Sequence, residues 1–286
     1  MSNILITGAS GFIGSALARV MSASHTVVCL SRAEARVDGA ISVRGDFANA
    51  SDLQRLEPYR FDVAIHLAAA NAVDDEMACL AVNVHGTHGL LRHLIAGGCR
   101  KFVLTSSIAA TGMQSTRFRP LSVPVPDEHP CLDRDGYGFS KYMMEQLTRY
   151  LSRQDDSLDL IAIRLASIIP DDNRPDPVRP GPVPGWSLGH LAKMYLSDTV
   201  QCLKLAAEAE TSPGARIMNA AGPDVSVEPG ISEVLQSWYP DLIGKLDLTY
   251  YDQPGRRRAP VFDIRLIEKE IGFTPKRSLV KANDVT

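Results

Sequence analysis

The stretch Thr7-Gly-Ala-Ser-Gly-Phe-Ile-Gly14 directly follows the apolar run Ile4-Leu5-Ile6 and leads into an apolar-rich segment over 12–20. A buried strand that breaks into evenly spaced glycines and then a helix is typical of a dinucleotide-binding turn. The first glycine permits the tight turn, the middle one admits the pyrophosphate, and the third lets the helix pack on the strand. The turn and the first helical residues are therefore predicted to bind the cofactor: Gly8, Ser10, Gly11, Phe12, Ile13 and Gly14.

Size and composition limit the classes of function. The chain has 286 residues, an apolar fraction of 45% and a net charge of -3, which gives no electrostatic reason to expect a nucleic acid or an acidic membrane as partner. It contains no apolar run of the roughly 18–20 residues that span a bilayer, and no signal-peptide pattern. The five cysteines are scattered and form no Cys-x-x-Cys pair. These features predict a cytoplasmic protein with reduced thiols.

Apolar runs alternate with helical patterns over the first 165 residues, which predicts an α/β fold with a Rossmann-type, doubly wound parallel sheet. Strands are predicted at 4–6, 26–30, 40–44, 63–66, 101–105 and 160–164, and helices at 11–21, 51–57, 77–96 and 136–153. After a proline-rich loop at 170–185, we expect a helix at 198–210, a strand at 216–220, and helices at 232–238 and 264–271. The chain thus divides into a dinucleotide-binding domain, 1–165, and a smaller, partly interwoven substrate-binding cap of α/β type, 166–286.

Tyr137-Gly-Phe-Ser-Lys141 places a phenol and an ammonium on one face of a predicted helix. A nearby cation favours the phenolate, so Lys141 is expected to lower the pKa of Tyr137 and suit it to general acid–base catalysis. The strand over 101–105 delivers Ser106 and Ser107 to the same edge of the sheet, where a hydroxyl can bind a substrate oxygen.

With these segments in place, the chain resembles the extended short-chain dehydrogenase/reductase superfamily, the NAD-dependent epimerase/dehydratase family. The resemblance covers most of residues 1–200, with its motifs in family order. They are Thr7-Gly-x-x-Gly-x-x-Gly14, Gly45-Asp46, Ile65-His-Leu-Ala-Ala69, Asn83-Val-His-Gly-Thr87, Thr105-Ser-Ser107, Tyr137-x-x-x-Lys141 and Tyr195-Leu-Ser-Asp198.

The resemblance implies roles for individual residues. Tyr137 is the expected acid and base, Lys141 holds the nicotinamide ribose, and Ser107, last in its triplet, orients the reacting oxygen. Asp46 and Phe47 are expected at the adenine, and Asn83 is expected to secure the helix beside the active site. The remaining cofactor contacts are expected from Leu67, Ala68, Ala69, Thr105 and Leu165. Substrate contacts are expected from Asn71, Ile108, Ser167 and Arg257.

The choice of cofactor depends on the end of the second strand. An NAD site usually has a carboxylate there to bind the ribose 2′-hydroxyl. This chain has Ser31 and Arg32 instead, which favour the 2′-phosphate of NADP. NADP is therefore predicted, with NAD as the alternative and Glu34 as a ribose contact in that case. No metal is predicted, because the spacing of His85, His88 and His93 fits no common site.

Three functions remain open. The first is a sugar-nucleotide epimerase or related reductase that acts by hydride transfer. The second is a dehydrogenase of a small sugar, a uronate or another carbonyl compound, since 164–170 resembles uronate-type enzymes. The third is a non-catalytic, NADP-sensing regulator. Dehydratases of this family have an Asp-Glu pair directly after the strand-end hydroxyl. This chain has Ile108-Ala109 at those positions, which argues against a dehydratase. The resemblance also implies a homodimer built by the helices at 77–96 and 136–150.

Overall fold

The computed structural model describes residues 1–71 and 73–280. In this part of the chain, seven parallel strands form one sheet in the order β3-β2-β1-β4-β5-β6-β9, and β7 and β8 form a small parallel pair. The strands are β1 Asn3–Thr7, β2 Thr26–Ser31, β3 Ile41–Arg44, β4 Val63–His66, β5 Lys101–Ser107, β6 Asp159–Leu165, β7 Ser167–Ile169, β8 Lys193–Tyr195 and β9 Gly214–Ala220. The predicted parallel α/β sheet is confirmed.

Helices connect these strands. They are α1 Phe12–Met21, α2 Ala50–Leu53, α3 Glu76–Cys79, α4 Thr87–Ala96, α5 Gly136–Ser152, α6 Ser187–Leu191, α7 Leu196–Glu208, α8 Ile231–Trp238, α9 Thr249–Asp252 and α10 Arg265–Ile271. The helix predicted over 77–96 has an interruption: a wider, π-helical segment, Leu80–Gly86, joins α3 to α4. Local periodicity does not reveal such a segment, because its apolar spacing differs little from that of an α-helix.

Both faces of the sheet are covered by helices, as alternate strand residues show. Ile4 and Ile6 of β1 face one buried cluster that contains Leu17 of α1 and Leu203 of α7. Leu5 and the alternate residues of neighbouring strands face a second cluster, which contains Leu90, Leu94, Met144 and Leu151 of α4 and α5. This two-sided burial explains why the strands are almost continuously apolar.

The cap is not a separate body. The strand predicted at 216–220 is β9, and it pairs with β6 from Asp159↔Gly214 to Leu165↔Ala220. The segment after residue 165 therefore completes the same sheet, in line with the expected interweaving, and residues 281–286 of the cap lie outside the described residues. Throughout 1–71 and 73–280, no helix combines the length and apolarity that crossing a bilayer would require.

Candidate active site

The glycine turn after β1 is packed too tightly for any side chain. Gly8 has a φ of +71°, and a Cβ there would lie 2.8 Å from the backbone nitrogen of Ala68. A Cβ at Gly14 would lie 2.2 Å from the carbonyl oxygen of Gly8. The backbone of the turn therefore approaches β4 and α1 closely, as a dinucleotide-binding turn requires.

The N-terminus of α1 offers backbone donors to an anion. Gly11 is its N-cap and provides no side-chain hydrogen bond, and the first turn carries no acidic residue. The first N–H groups of a helix point outward with the positive end of its dipole, so this end suits a pyrophosphate. Phe12 and Ile13 form the first turn, and the side chain of Phe12 is half exposed.

A cleft of about 630 Å³ lies at the carboxyl ends of β1 to β4. It is placed where strand order reverses between β1 and β4, which is where open α/β sheets bind ligands. The cleft brings together most of the predicted cofactor residues and one predicted substrate residue, Asn71. Its lining includes Gly8, Ser10, Gly11, Ser31, Arg32, Asp46, Phe47, Leu67, Ala68, Ala69 and Asn71.

At the far end of this cleft, Arg32 is exposed and lines the wall. The Ser31 hydroxyl donates a hydrogen bond to the carbonyl of Ala33 at 2.7 Å, so its proton is not directed at a ligand. Glu34 pairs with Arg36 at 3.6 Å and is largely exposed. Of the two residues predicted to meet a 2′-phosphate, Arg32 is the one with a donor available for it.

Beneath the cleft, sequence reasoning assigned no role to His66, which lies buried in the predicted Ile65–Ala69 motif. Its Nδ1 is 2.7 Å from the hydroxyl of Thr7, and its Nε2 is 2.9 Å from the hydroxyl of Thr87. Burial, aided by the charge of Lys141, lowers the pKa of His66 to about 3, which keeps the ring neutral. The imidazole thus joins β1, β4 and α4 behind the glycine turn.

Asn83 is buried and makes several hydrogen bonds. From the π-helical segment it accepts a hydrogen bond from the N–H of Ala70 at 2.8 Å and donates to the carbonyl of Ala70 at 3.0 Å. It also donates to Ser140 at 2.9 Å, and Ser140 in turn donates to the carbonyl of Tyr137 at 2.7 Å. This chain of bonds ties the wall of the cleft to the helix that carries Tyr137.

The predicted catalytic side chains do come together. Ser107 ends β5, and its hydroxyl lies close enough to the phenol of Tyr137 to influence the pKa of that phenol. Lys141 donates to the carbonyl of Thr105 at 2.8 Å, and its ammonium lies 5.8 Å from the centre of the Tyr137 ring. Two hydroxyls and an ammonium therefore meet at the carboxyl end of β5, one strand from β4.

The expected acidification of Tyr137 by Lys141 is not seen in this structure. Burial raises the pKa of Tyr137, opposed by the hydrogen bond with Ser107. Burial likewise lowers the pKa of Lys141 to about 8, opposed by the nearby Glu145. The expectation was wrong because it considered only the neighbouring charge, whereas burial acts on both groups.

A buried ion pair beneath the site was missed. Glu145 receives hydrogen bonds from Ser106 at 2.6 Å and from two guanidinium nitrogens of Arg164, each at 2.8 Å. Both charged side chains are almost fully buried. The available signal was the spacing 137, 141, 145, which places Glu145 one helical turn beyond Lys141 on the same face.

The remaining predicted residues lie in several places. Leu165 is opposite Ser107 in the sheet, and Ile108 is buried in the core, with about 1% of its surface exposed. Ser167 donates to the carbonyl of Gly189 at 3.2 Å, which holds α6 over β7. Arg257 forms an ion pair with Glu233 and lines a separate cleft of about 180 Å³. The substrate roles of these residues stay predictions.

Comparisons agree with this geometry. Residues 4–179 match the model of the NAD dependent epimerase/dehydratase family. UDP-glucose 4-epimerase 4 of Oryza sativa subsp. japonica is 28% identical over an alignment of 182 residues. The alignment covers 56% of this chain and 48% of that protein. The chain therefore spans about half the length of the curated relatives it matches.

Two solved structures share the fold. The Bordetella bronchiseptica enzyme WbmG, in complex with NAD, has a TM-score of 0.67 and 21% identity, over 97% of this chain and 90% of that one. MoeE5, in complex with UDP-glucuronic acid and NAD, has a TM-score of 0.70 and 22% identity, over 97% and 95%.

The fold and the family match together define a protein of the short-chain dehydrogenase/reductase type. Since the family model matches more than half of the chain, the protein belongs to the NAD dependent epimerase/dehydratase family.

Proposed function

We propose that this protein is an NAD(P)-dependent oxidoreductase that acts on a sugar or nucleotide-sugar by hydride transfer. One observation carries the proposal: the phenol of Tyr137 lies beside the hydroxyl of Ser107, at the strand edge next to the dinucleotide cleft. Two hydroxyls so placed can bind one substrate oxygen and exchange a proton with it.

Each side chain has a distinct part in this proposal. A bound nicotinamide dinucleotide supplies the hydride acceptor and donor. Tyr137 takes a proton from the substrate hydroxyl or returns it to the carbonyl oxygen, and Ser107 holds that oxygen. Lys141, whose ammonium lies 5.8 Å from the ring centre, holds the nicotinamide ribose. To take the substrate proton, the phenol must first release its own proton to solvent, and burial opposes this release because it raises the pKa of Tyr137.

The favoured outcome is epimerisation of a sugar-nucleotide. The matched rice relative is described as a UDP-glucose 4-epimerase, and MoeE5 was solved with UDP-glucuronic acid and NAD. An epimerase uses the same tyrosine in both directions, which requires a phenol that both donates and accepts. Tyr137 and Ser107 meet that requirement.

A specific observation favours the second candidate, a dehydrogenase of a smaller sugar or uronate. The Arg257 guanidinium, which the sequence predicts as a substrate contact, is paired with Glu233. A substrate without a diphosphate would not need that guanidinium. Net reduction of the cofactor would identify this reaction, whereas an epimerase turns over with no lasting change in cofactor absorbance.

For the cofactor we propose NADP, with NAD as the alternative. Arg32 lines the cleft at the end of β2, and the Ser31 hydroxyl next to it is engaged with Ala33. A guanidinium attracts a 2′-phosphate. WbmG and MoeE5 were both solved with NAD, so the choice needs a direct measurement. Arg32→Ala is expected to weaken NADP about tenfold and NAD much less, by the loss of one charge-assisted contact.

The test of the function is an assay of the purified protein with NAD or NADP and a panel of UDP-, GDP- and dTDP-sugars and uronates. Interconversion of two epimers without net cofactor reduction supports the epimerase, and stoichiometric reduction supports the dehydrogenase. Failure to bind either dinucleotide, measured by calorimetry, would remove the basis of both candidates.

The homodimer also stays a proposal. Met77 on α3, and Phe139 and Tyr150 on α5, are 72%, 40% and 43% exposed, so these helices leave large apolar side chains uncovered. Sedimentation at micromolar concentration tests it, and a purely monomeric boundary would count against it.

A further inference from the structure

Two carboxyl groups precede the helix that carries Tyr137. Asp135 is the N-cap of α5, and its Oδ1 accepts a hydrogen bond from the N–H of Gly138 at 2.9 Å. Asp133 accepts one on Oδ2 from the thiol of Cys131 at 3.4 Å. Both carboxyl groups lie against Gly138: that of Asp135 accepts its N–H, and the oxygens of Asp133 are 2.4 Å from where its Cβ would be. Within the described residues, the buried atoms Asp133 Oδ1 and Asp135 Oδ2 have no donor.

Two ionised carboxylates placed in this way would repel each other, and each would bury an oxygen without a donor. A single proton between Asp133 and Asp135 removes both costs, because it supplies a donor and cancels one charge. Burial, and then the charge of Asp135, raises the pKa of Asp133 to about 8. The pair therefore holds this proton at neutral pH.

The pair sits against the backbone on either side of Tyr137. A Cβ at Gly138 would lie 2.4 Å from both carboxyl oxygens of Asp133, so that carboxyl group rests directly on the helix backbone. A Cβ at Gly136 would lie 2.6 Å from the Cα of Glu76 in α3. The first turn of α5 is thus held between Asp133 on one side and α3 on the other.

We propose that Asp133 and Asp135 share one proton that locks the first turn of α5, and that they act as positioning residues for Tyr137. Where it concerns turnover, this inference rests on the proposed function. The lock itself is a property of the folded chain and can be tested without any substrate.

Other charged groups surround the pair. The negative charge of Glu145, which lies further along α5, also repels the carboxylate of Asp133. Glu145 is itself paired with Arg164 of β6. On the α3 side, Glu76 packs against Gly136. Lys141 on α5 titrates separately, since burial lowers its pKa to about 8. A comparison of variants that all keep Lys141 isolates the contribution of the carboxyl pair.

The first experiment measures stability against pH. Because the pKa of Asp133 is raised on folding, the shared proton stabilises the fold below the unfolded pKa near 4, and this stability is lost as pH rises towards about 8. Asp133→Asn keeps the shape and a donor but does not titrate. Its urea midpoint is therefore expected to fall less than that of the wild type between about pH 5 and 8.5.

The exposed Asp156→Asn serves as the matched control and is expected to follow the wild type. If the urea midpoints of the wild type and Asp133→Asn change with pH in parallel, the proposal of a shared proton is overturned.

The second experiment follows the position of the helix start. Above about pH 8, hydrogen exchange at the Gly138 amide, corrected for intrinsic rate, is expected to accelerate in the wild type and not in Asp133→Asn. Asp133→Ala, which removes the carboxyl group, should expose this amide at every pH. Equal protection in all three proteins would overturn the positioning role, whether or not a substrate has been found.

With a substrate in hand, turnover adds a third readout. Asp133→Ala is expected to lower kcat about 10- to 100-fold with little change in KM, because Tyr137 is displaced. Asp133→Asn is expected to restore most of that loss and to retain more activity above about pH 8 than the wild type. A kcat for Asp133→Ala equal to that of the wild type would contradict the proposal. If neither the wild type nor any variant turns over a substrate, the proposed function fails. The hydrogen-exchange data then still test whether the carboxyl pair holds the first turn of α5 in place.

Discussion

The cofactor half and the cap are held together in different ways. In the cofactor half, Gly14 and Gly8 make a local contact, although the turn also packs against Ala68, which is far away in the sequence. The cap is joined by distant segments: the Val125 N–H donates to the carbonyl of Val261, and an isolated bridge links Val178 with Val227. The glycine turn is therefore recognisable as a local motif, whereas the cap depends on long-range pairing.

The buried ion pair beneath the site is expected to give the largest effect, because both of its charged side chains are almost fully buried. Arg164 binds Glu145 and also donates to the carbonyl of Asp127 at 2.8 Å. Glu145→Ala leaves a buried guanidinium unpaired and should lower the free energy of unfolding by about 3–5 kcal/mol. Chemical denaturation measures it.

The double variant Glu145→Met, Arg164→Leu provides the control for that prediction. It removes both charges and should regain much of the loss. A double variant less stable than Glu145→Ala would show that the pair itself stabilises the fold.

A second variant breaks the cofactor half alone. Gly14→Ala places a methyl group 2.2 Å from the carbonyl oxygen of Gly8, which must push α1 away from the turn. We expect a loss of about 2–4 kcal/mol in stability and of dinucleotide binding, measured by denaturation and calorimetry.

Gly89→Ala in α4 is the matched control, since nothing lies within 4 Å of its Cβ position. It should stabilise the protein by up to about 1 kcal/mol through helix propensity. Unchanged dinucleotide affinity in Gly14→Ala would contradict the assignment of the turn.

A third variant weakens the attachment of β9 to the segments around it. The buried Asn219 donates to the carbonyl of Val125 at 3.2 Å and to that of Asp263 at 3.4 Å. Asn219→Ala leaves both carbonyls without this donor and should cost about 1–3 kcal/mol. KM for the substrate is expected to rise while the dinucleotide Kd stays the same. A weaker dinucleotide Kd with an unchanged substrate KM would show that Asn219 supports the cofactor half and not the substrate side.

The smallest predicted effect is on the pH dependence of stability. Burial raises the pKa of Asp127 to about 6, and its carboxylate accepts the N–H of Asn219 at 2.5 Å. A raised pKa means that the folded state binds the proton more strongly, so stability is lost as pH rises from about 4 to 6. Asp127→Asn should flatten this dependence by less than about 2 kcal/mol in thermal or urea unfolding. If stability depends on pH in Asp127→Asn as it does in the wild type, a group other than Asp127 is responsible for that dependence.

Sequence reasoning predicted the sheet and the Ser107–Tyr137–Lys141 grouping because each follows from local patterns: an apolar run, a glycine turn, an i, i+4 spacing. It did not predict the π-helical segment Leu80–Gly86, since two nearly equal periods give the same apolar pattern. It also misjudged the pKa of Tyr137, because the burial that raises it comes from tertiary packing. The engagement of Arg257 by Glu233 similarly depends on contacts 24 residues apart in the chain.

The role of Tyr137 as acid and base is tested most directly by comparing kcat in Tyr137→Phe and in Tyr142→Phe, which alters a tyrosine of the same helix outside the Ser107–Lys141 grouping. The account predicts that Tyr137→Phe loses about 100- to 10,000-fold in kcat while its dinucleotide Kd and melting temperature stay within experimental error of the wild type. Tyr142→Phe should remain near wild-type activity. A Tyr137→Phe protein that turns over substrate at the wild-type rate would contradict the account.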